Sequence, residues 1–152
     1  MKLAEALILR ADCQKRIAQL RQRLVWSARV QEGEQPPEDP QELLRELDGA
    51  IAELLRLIQR INQTNAVTRL GDRSLSDGLA ERDVMLQRRS TYDALIAAAS
   101  FHQDRYMRSE LRTVSTVDIA ALQRQLDRLS RDYRELDAQI QALNWATDLI
   151  ES

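Results

Sequence analysis

At 152 residues the chain suits one domain, and 43% hydrophobic residues supply enough apolar material for a core. With only four glycines and three prolines, 30% charged residues and an apolar load carried by Leu, Ala and Ile, the composition is that of helical bundles and coiled coils, not of sandwiches. The net charge of −2 comes from 22 basic and 24 acidic residues in close alternation, without the basic excess or stripe of a nucleic-acid binder.

The first predicted helix spans residues 2–30. Its inner face reads Leu3, Ala6, Leu7, Arg10, Cys13, Ile17, Leu20 and Leu24, a heptad-like stripe with one charged intrusion. Cys13 lies between Leu9 and Ile17 on that face and reads as a small buried hydrophobe rather than a reactive thiol. As the single cysteine it can form neither an internal disulfide nor a thiolate metal cluster. Residues 31–39 break the helix. Gly33 offers a stop, Pro36 and Pro37 cannot continue the turn, and the link is acidic through Glu32, Glu34, Glu38 and Asp39.

A second helix is predicted over residues 39–65. Asp39 can cap its free N–H groups, Pro40 fits the first helical position, and Glu42 stands where a capping-box carboxylate would reach back. Its seam is read as Leu44, Leu47, Ile51, Leu54, Ile58 and Ile61, after which the pattern meets the polar Asn62, Gln63, Thr64 and Asn65. From residue 66 to 75 the helical period is lost, and Gly71-Asp72 supplies the turn of a small hairpin or compact loop.

Ser74 or Ser76 can cap the third helix, predicted over residues 76–103. It carries two apolar stripes, one of Leu79, Leu86, Leu95 and Phe101, the other of Met85, Tyr92, Ile96 and Ala99. Residues 104–115 form a second irregular stretch in which a short extended segment fits the alternation of Leu111, Thr113 and Ser115. The fourth helix is predicted over residues 116–150, capped by Ser115 or Thr116, with Asp118 in its first turn. Its seam is Ile119, Leu122, Leu126, Leu129, Tyr133, Leu136, Ile140, Leu143, Thr147 and Ile150. The expected architecture is therefore all-α, an antiparallel four-helix bundle or pair of coiled-coil hairpins in a single domain of residues 1–152, with a short irregular or β-like insertion between helices two and three. Such seams often continue into a partner, so a homo-oligomer is expected.

Common catalytic chemistries lack their residues. A lone His102 leaves no two-histidine metal site, and no Glu stands three residues before it as a di-iron bundle needs. The glycines at 33, 49, 71 and 78 form no phosphate-cradling loop, and no nucleophile elbow surrounds any serine. Glu42 and Glu46 sit one turn apart, but the second acidic pair of a Mg²⁺-dependent nucleotide hydrolase is not evident. Asp127, Asp132, Glu135 and Asp137 interleave with Arg124, Arg128, Arg131 and Arg134 as a solvated face. No cofactor or metal is expected; the favoured reading is an interaction or assembly protein without catalysis, and the alternative is a protein that binds or acts on a small anionic metabolite at a polar pole.

No run of about 18 apolar residues is present, so no membrane-spanning helix is expected. Glu5 and Arg10 interrupt the only signal-like stretch and no small-residue cleavage site follows, which places the chain in the cytoplasm. Polar faces that carry both signs equally, with narrow Leu/Ile seams, suit partner helices better than lipid.

An up-down-up-down arrangement gathers Arg10, Asn62, Asn65, Arg82, Asp83, Asn144 and Thr147 at one pole. Several fall on or beside an inner seam, where buried polar groups must be paired. Two readings stay open: a network that fixes helix register, or a small-anion pocket lined by Arg10, Asn65, Arg69 and Arg82. The opposite pole would hold the acidic link with Arg105, Tyr106, Arg108 and Glu110.

Residues 1–7 (MKLAEAL), 62–65 (NQTN), 103–110 (QDRYMRSE) and 114–118 (VSTVD) carry a resemblance over nearly the full length to the septicolysin-like family, small bacterial helical proteins of unknown function. The family label implies a membrane-active cytolysin. The resemblance assigns no catalytic residues.

Overall fold

The computed structural model describes residues 1–101 and 112–152. Four helices follow one another: α1 (Leu3–Trp26), α2 (Pro40–Val67), α3 (Leu75–Ala99) and α4 (Ile119–Ala146). Strands β1 (Arg69–Leu70) and β2 (Arg73–Ser74) pair between α2 and α3 as a two-stranded sheet. The chain is thus all-α of the helical-bundle class, with the expected β-like insertion. It divides into two compact units, one of Met1–Arg69 with Gln141–Ser152 and one of Leu70–Ile140.

In the first unit α1 and α2 run antiparallel, because contacts pair rising positions on one with falling positions on the other. The Cys13 thiol donates to the Ala50 carbonyl at 3.0 Å, Arg16 lies 4.0 Å from Glu46, and Arg23 meets Glu38. Cys13, Leu20, Leu43 and Ala50 form the buried core, with Ile17, Leu24, Leu47 and Leu54 packed around it. Cys13 is therefore the small interior hydrophobe its position implied.

The helix α1 ends at Trp26, four residues short of the expected 30, and the Ser27 N–H closes the last turn on the Arg23 and Leu24 carbonyls. In the link, Arg23 Nε donates to Glu38 Oε2 at 2.8 Å and its Nη2 bonds Oε1, a bidentate pair that ties the segment after α1 back onto the helix. Helix α2 opens as expected, with Asp39 Oδ1 accepting from the Gln41 N–H at 3.0 Å and Pro40 in the first turn.

Helix α4 stops at Ala146 rather than near residue 150, and the chain continues extended beside the start of α1. The Leu3 N–H donates to the Thr147 carbonyl at 2.9 Å, and the Leu149 N–H to the Met1 carbonyl at 2.8 Å. Lys2 Nζ pairs with Asp148 at 2.8 Å, and the Ile150 N–H donates to Thr64 Oγ1 at 3.0 Å. These bonds replace the helical ones that the tail forgoes, and they bury Leu149 instead of the predicted seam residues Thr147 and Ile150, which are half-exposed.

The second unit opens on the hairpin. Gly71, at φ 62, takes the first central turn position that a type II′ hairpin reserves for glycine, and among the described residues no non-glycine has positive φ. Leu70 is thereby folded onto Gly78 of α3. A Cβ at residue 78 would stand 2.3 Å from Leu70 Cδ2, so this glycine makes room for a close approach. Of the two candidate caps, Ser74 is the one used, its Oγ accepting from the Asp77 N–H at 3.1 Å. At α4 the cap is Asp118, whose Oδ1 accepts from the Ala121 N–H at 3.0 Å, while the predicted cap Ser115 instead accepts from the Val117 N–H at 3.2 Å. The α4 seam faces inward as expected at Leu126, Leu136 and Ile140. On α3 the stripe of Met85, Tyr92, Ile96 and Ala99 is the half-buried one, and Leu86, Leu95 and Phe101 are exposed. Helix α3 ends at Ala99, short of the predicted 103, where the Ser100 N–H closes on the Ile96 carbonyl at 3.0 Å; His102 and the expectations for residues 104–111 lie outside the described residues.

Two glycine substitutions separate helix propensity from packing. In Gly49→Ala the new methyl meets nothing within 4 Å, so exchanging a mid-helix glycine should raise stability by about 0.5–1 kcal/mol. In Gly78→Ala the same gain is opposed by the clash with buried Leu70, and urea denaturation should show it at or below wild-type stability.

Candidate interaction surface

Of the predicted seam, Leu47 and Leu54 pack on the α1–α2 core and Ile61 is buried, but Leu43, Ala50 and Leu57 take the places predicted for Leu44, Ile51 and Ile58. Leu43, Ala50 and Leu57 are 2%, 3% and 7% exposed, whereas Leu44, Ile51 and Leu55 are 40%, 47% and 55% exposed. One residue is about 100° of helix rotation, so a seam at 43, 50 and 57 leaves 44, 51 and 58 on an adjoining face. Leu47, Leu54 and Ile58 lie between the two and are half-buried. The result is a helix with two overlapping heptad stripes, of which only one is covered. The signal lay in the sequence: apolar residues at 43, 44, 47, 50, 51, 54, 55, 57, 58 and 61 fill a face wider than a single seam requires. Leu55, absent from the predicted seam, is the most exposed of them.

The residues predicted for the polar pole are distributed over both units. In the first, Asn65 and Asn144 are buried, Arg10 is half-buried, Thr147 is half-exposed, and Asn62 and Arg69 are exposed. The best-defined polar group there is Thr64, a residue not among the candidates. It is 1% exposed, its Oγ1 donates to the Arg60 carbonyl at 2.8 Å and it accepts from the tail at Ile150. In the second unit Arg82 Nη1 is held by Asp137 Oδ1 at 2.9 Å, and Asp83 is exposed. Further along the same helix pair Arg88 stacks on Tyr92 at 5.5 Å and Arg89 on Tyr133 at 5.8 Å.

The shifted titrations belong to structural ion pairs. The hydrogen bond from Arg23 draws the Glu38 carboxyl below its ordinary 4.5, and that from Lys2 draws Asp148 below its ordinary 3.8. A lowered folded-state value stabilises the fold at pH above the unfolded value and loses that effect as pH falls through the lowered one. Glu38→Gln should therefore melt below wild type at pH 7, and the gap should close as pH is taken below 4.5.

Among the described residues no group of three or more His, Cys, Asp or Glu is placed to hold a metal ion. No helix among them is long and apolar enough to cross a membrane.

The family described as "Family of unknown function (DUF6847)" matches residues 10–149. The chain belongs to it. A solved structure described as a functionally unknown conserved protein from Corynebacterium diphtheriae is 42% identical, covers 99% of each chain and superposes with a TM-score of 0.92. No curated protein matches the chain. The family match and this neighbour overturn the resemblance to septicolysin-like proteins, and nothing in either supports a cytolysin. Of the stretches that carried that resemblance, residues 1–7 open α1, 62–65 end α2 and 114–118 cap α4, while 103–110 lie outside the described residues.

Proposed function

We propose that this member of the family is a homo-oligomeric interaction protein of the cytoplasm, acting through its helices and not by catalysis. The observation that carries the reading is the uncovered second stripe of α2 at Leu44, Ile51 and Leu55. Large apolar side chains scattered singly on a surface need no explanation, but three at heptad spacing beside a covered seam have the form of an unfilled helix contact. Completing the burial of each contributes about 1 kcal/mol toward the cost of association. Interleaved charges support a protein partner over nucleic acid or an anionic membrane surface. The alternative of a small anion at Arg10, Asn65, Arg69 and Arg82 has weaker support, because the Arg82 guanidinium is already engaged by Asp137.

Light scattering on the purified chain tests the reading. A molar mass at a multiple of 17.5 kDa is expected, and a mass of 17.5 kDa throughout the micromolar range would overturn it.

A further inference from the structure

We infer that the partner on the second stripe of α2 is the same helix of a second copy, laid antiparallel about a two-fold axis that passes beside Ile51. The inference rests on the oligomeric reading above and adds to it the surface and the geometry.

Three observations point there. First, the stripe maps onto itself when reversed. Pivoting about Ile51 places Leu44 against Ile58 of the other copy and Ile51 against itself, while Leu55 meets Leu47 at the edge of the α1–α2 core and Leu54 meets Asp48. A patch that is its own complement is what a two-fold interface requires. Second, the covered seam and the open stripe share one heptad period over the same turns. A helix with two such seams has two helical neighbours, and α1 is the first. Third, charge selects the direction. Asp48 is exposed on the border of the stripe, and Arg45 flanks it. A parallel arrangement would set Asp48 opposite Asp48 and Arg45 opposite Arg45. The antiparallel one moves the two Asp48 residues apart by about six residues, roughly 9 Å along the axis and on the order of a Debye length in physiological salt.

Other exposed apolar side chains compete for a second copy: Met1, Ile8 and Leu9 at the start of α1, Val25, Trp26 and Val30 about its end, and Val84, Leu86 and Leu95 on α3. None of these groups carries three large apolar residues at heptad spacing.

Cysteine cross-linking of the full chain distinguishes the arrangements. The wild type carries only buried Cys13 and serves as the uncrosslinked control. A short bis-maleimide should join Ile51→Cys to itself, leave Leu44→Cys alone as monomer on a denaturing gel, and join a mixture of Leu44→Cys and Ile58→Cys. The two Leu44 positions would stand about 21 Å apart in the antiparallel pair and side by side in a parallel one. Cross-linking of Leu44→Cys to itself would overturn the geometry. No cross-link in any of the three, from a chain that light scattering shows to be oligomeric, would move the interface away from α2 and overturn the inference while leaving the oligomeric reading intact. A chain that is monomeric by light scattering would overturn both. Circular dichroism on each variant confirms that the helices persist, and Leu55→Cys mixed with Leu47→Cys repeats the test at an independent pair.

Discussion

Leu43→Ala should lower stability by about 3 kcal/mol, and Leu44→Ala, one residue on, by less than about 1 kcal/mol. Leu43 is almost wholly enclosed by the α1–α2 core, so removing its methyl groups leaves a cavity that Cys13, Leu20 and Ala50 can only partly close. Leu44 is 40% exposed and borders open solvent on its own copy. Both substitutions belong in an Ile51→Lys background, so that association between copies contributes to neither. For a chain of this size the larger loss corresponds to roughly 6–12 °C in Tm. Equal losses at the two positions, or a greater loss at Leu44, would return α2 to the seam predicted from sequence.

The second large effect is expected at Leu149 in the extended tail. Leu149→Ala should cost about 2–4 kcal/mol, while Ile150→Ala should cost about 1 kcal/mol or less. A helix continued to residue 150 would reverse that order, because its seam contains Ile150 and leaves Leu149 outside. In the structure the tail is extended, Leu149 is 6% exposed and its N–H is taken by the Met1 carbonyl. Chemical denaturation of the two variants decides between the arrangements.

The type and order of the elements were legible because heptads, caps and breakers act locally. Asp39-Pro40 opens α2, Ser74 opens α3, and Gly71-Asp72 makes the hairpin turn, each through bonds within a few residues. The α4 seam was legible as well, since its apolar residues form one narrow stripe. What the sequence concealed depends on partners far along the chain. The stop at Trp26 is accompanied by the contact of Glu38 with Arg23, and the stop at Ala146 by the pairing of the tail with Met1, Lys2 and Thr64. No local pattern near residue 146 announces either partner.

The register of α2 failed for a different reason. Its apolar face is wide enough for two seams one residue apart, so periodicity alone permits Leu44-Ile51-Ile58 and Leu43-Ala50-Leu57 equally. Packing against α1 selects the second, where the small Ala50 admits Cys13 with its thiol on the Ala50 carbonyl. The same ambiguity that misplaced the seam leaves behind the surface on which the functional proposal stands. For the polar pole, the candidates shared an end of a bundle on paper. The structure assigns Asn65 and Asn144 to the interior of one unit and gives Arg82 a partner in the other.

The most direct measurement of the central claim, that the open stripe of α2 is a contact surface between copies, is the solution mass of Ile51→Lys beside wild type. Ile51 is 47% exposed, so a lysine there can reach solvent without disturbing the α1–α2 core. The variant is expected at 17.5 kDa with an unchanged helical spectrum, against a multiple of that mass for wild type. An Ile51→Lys protein that keeps the wild-type mass would contradict the claim.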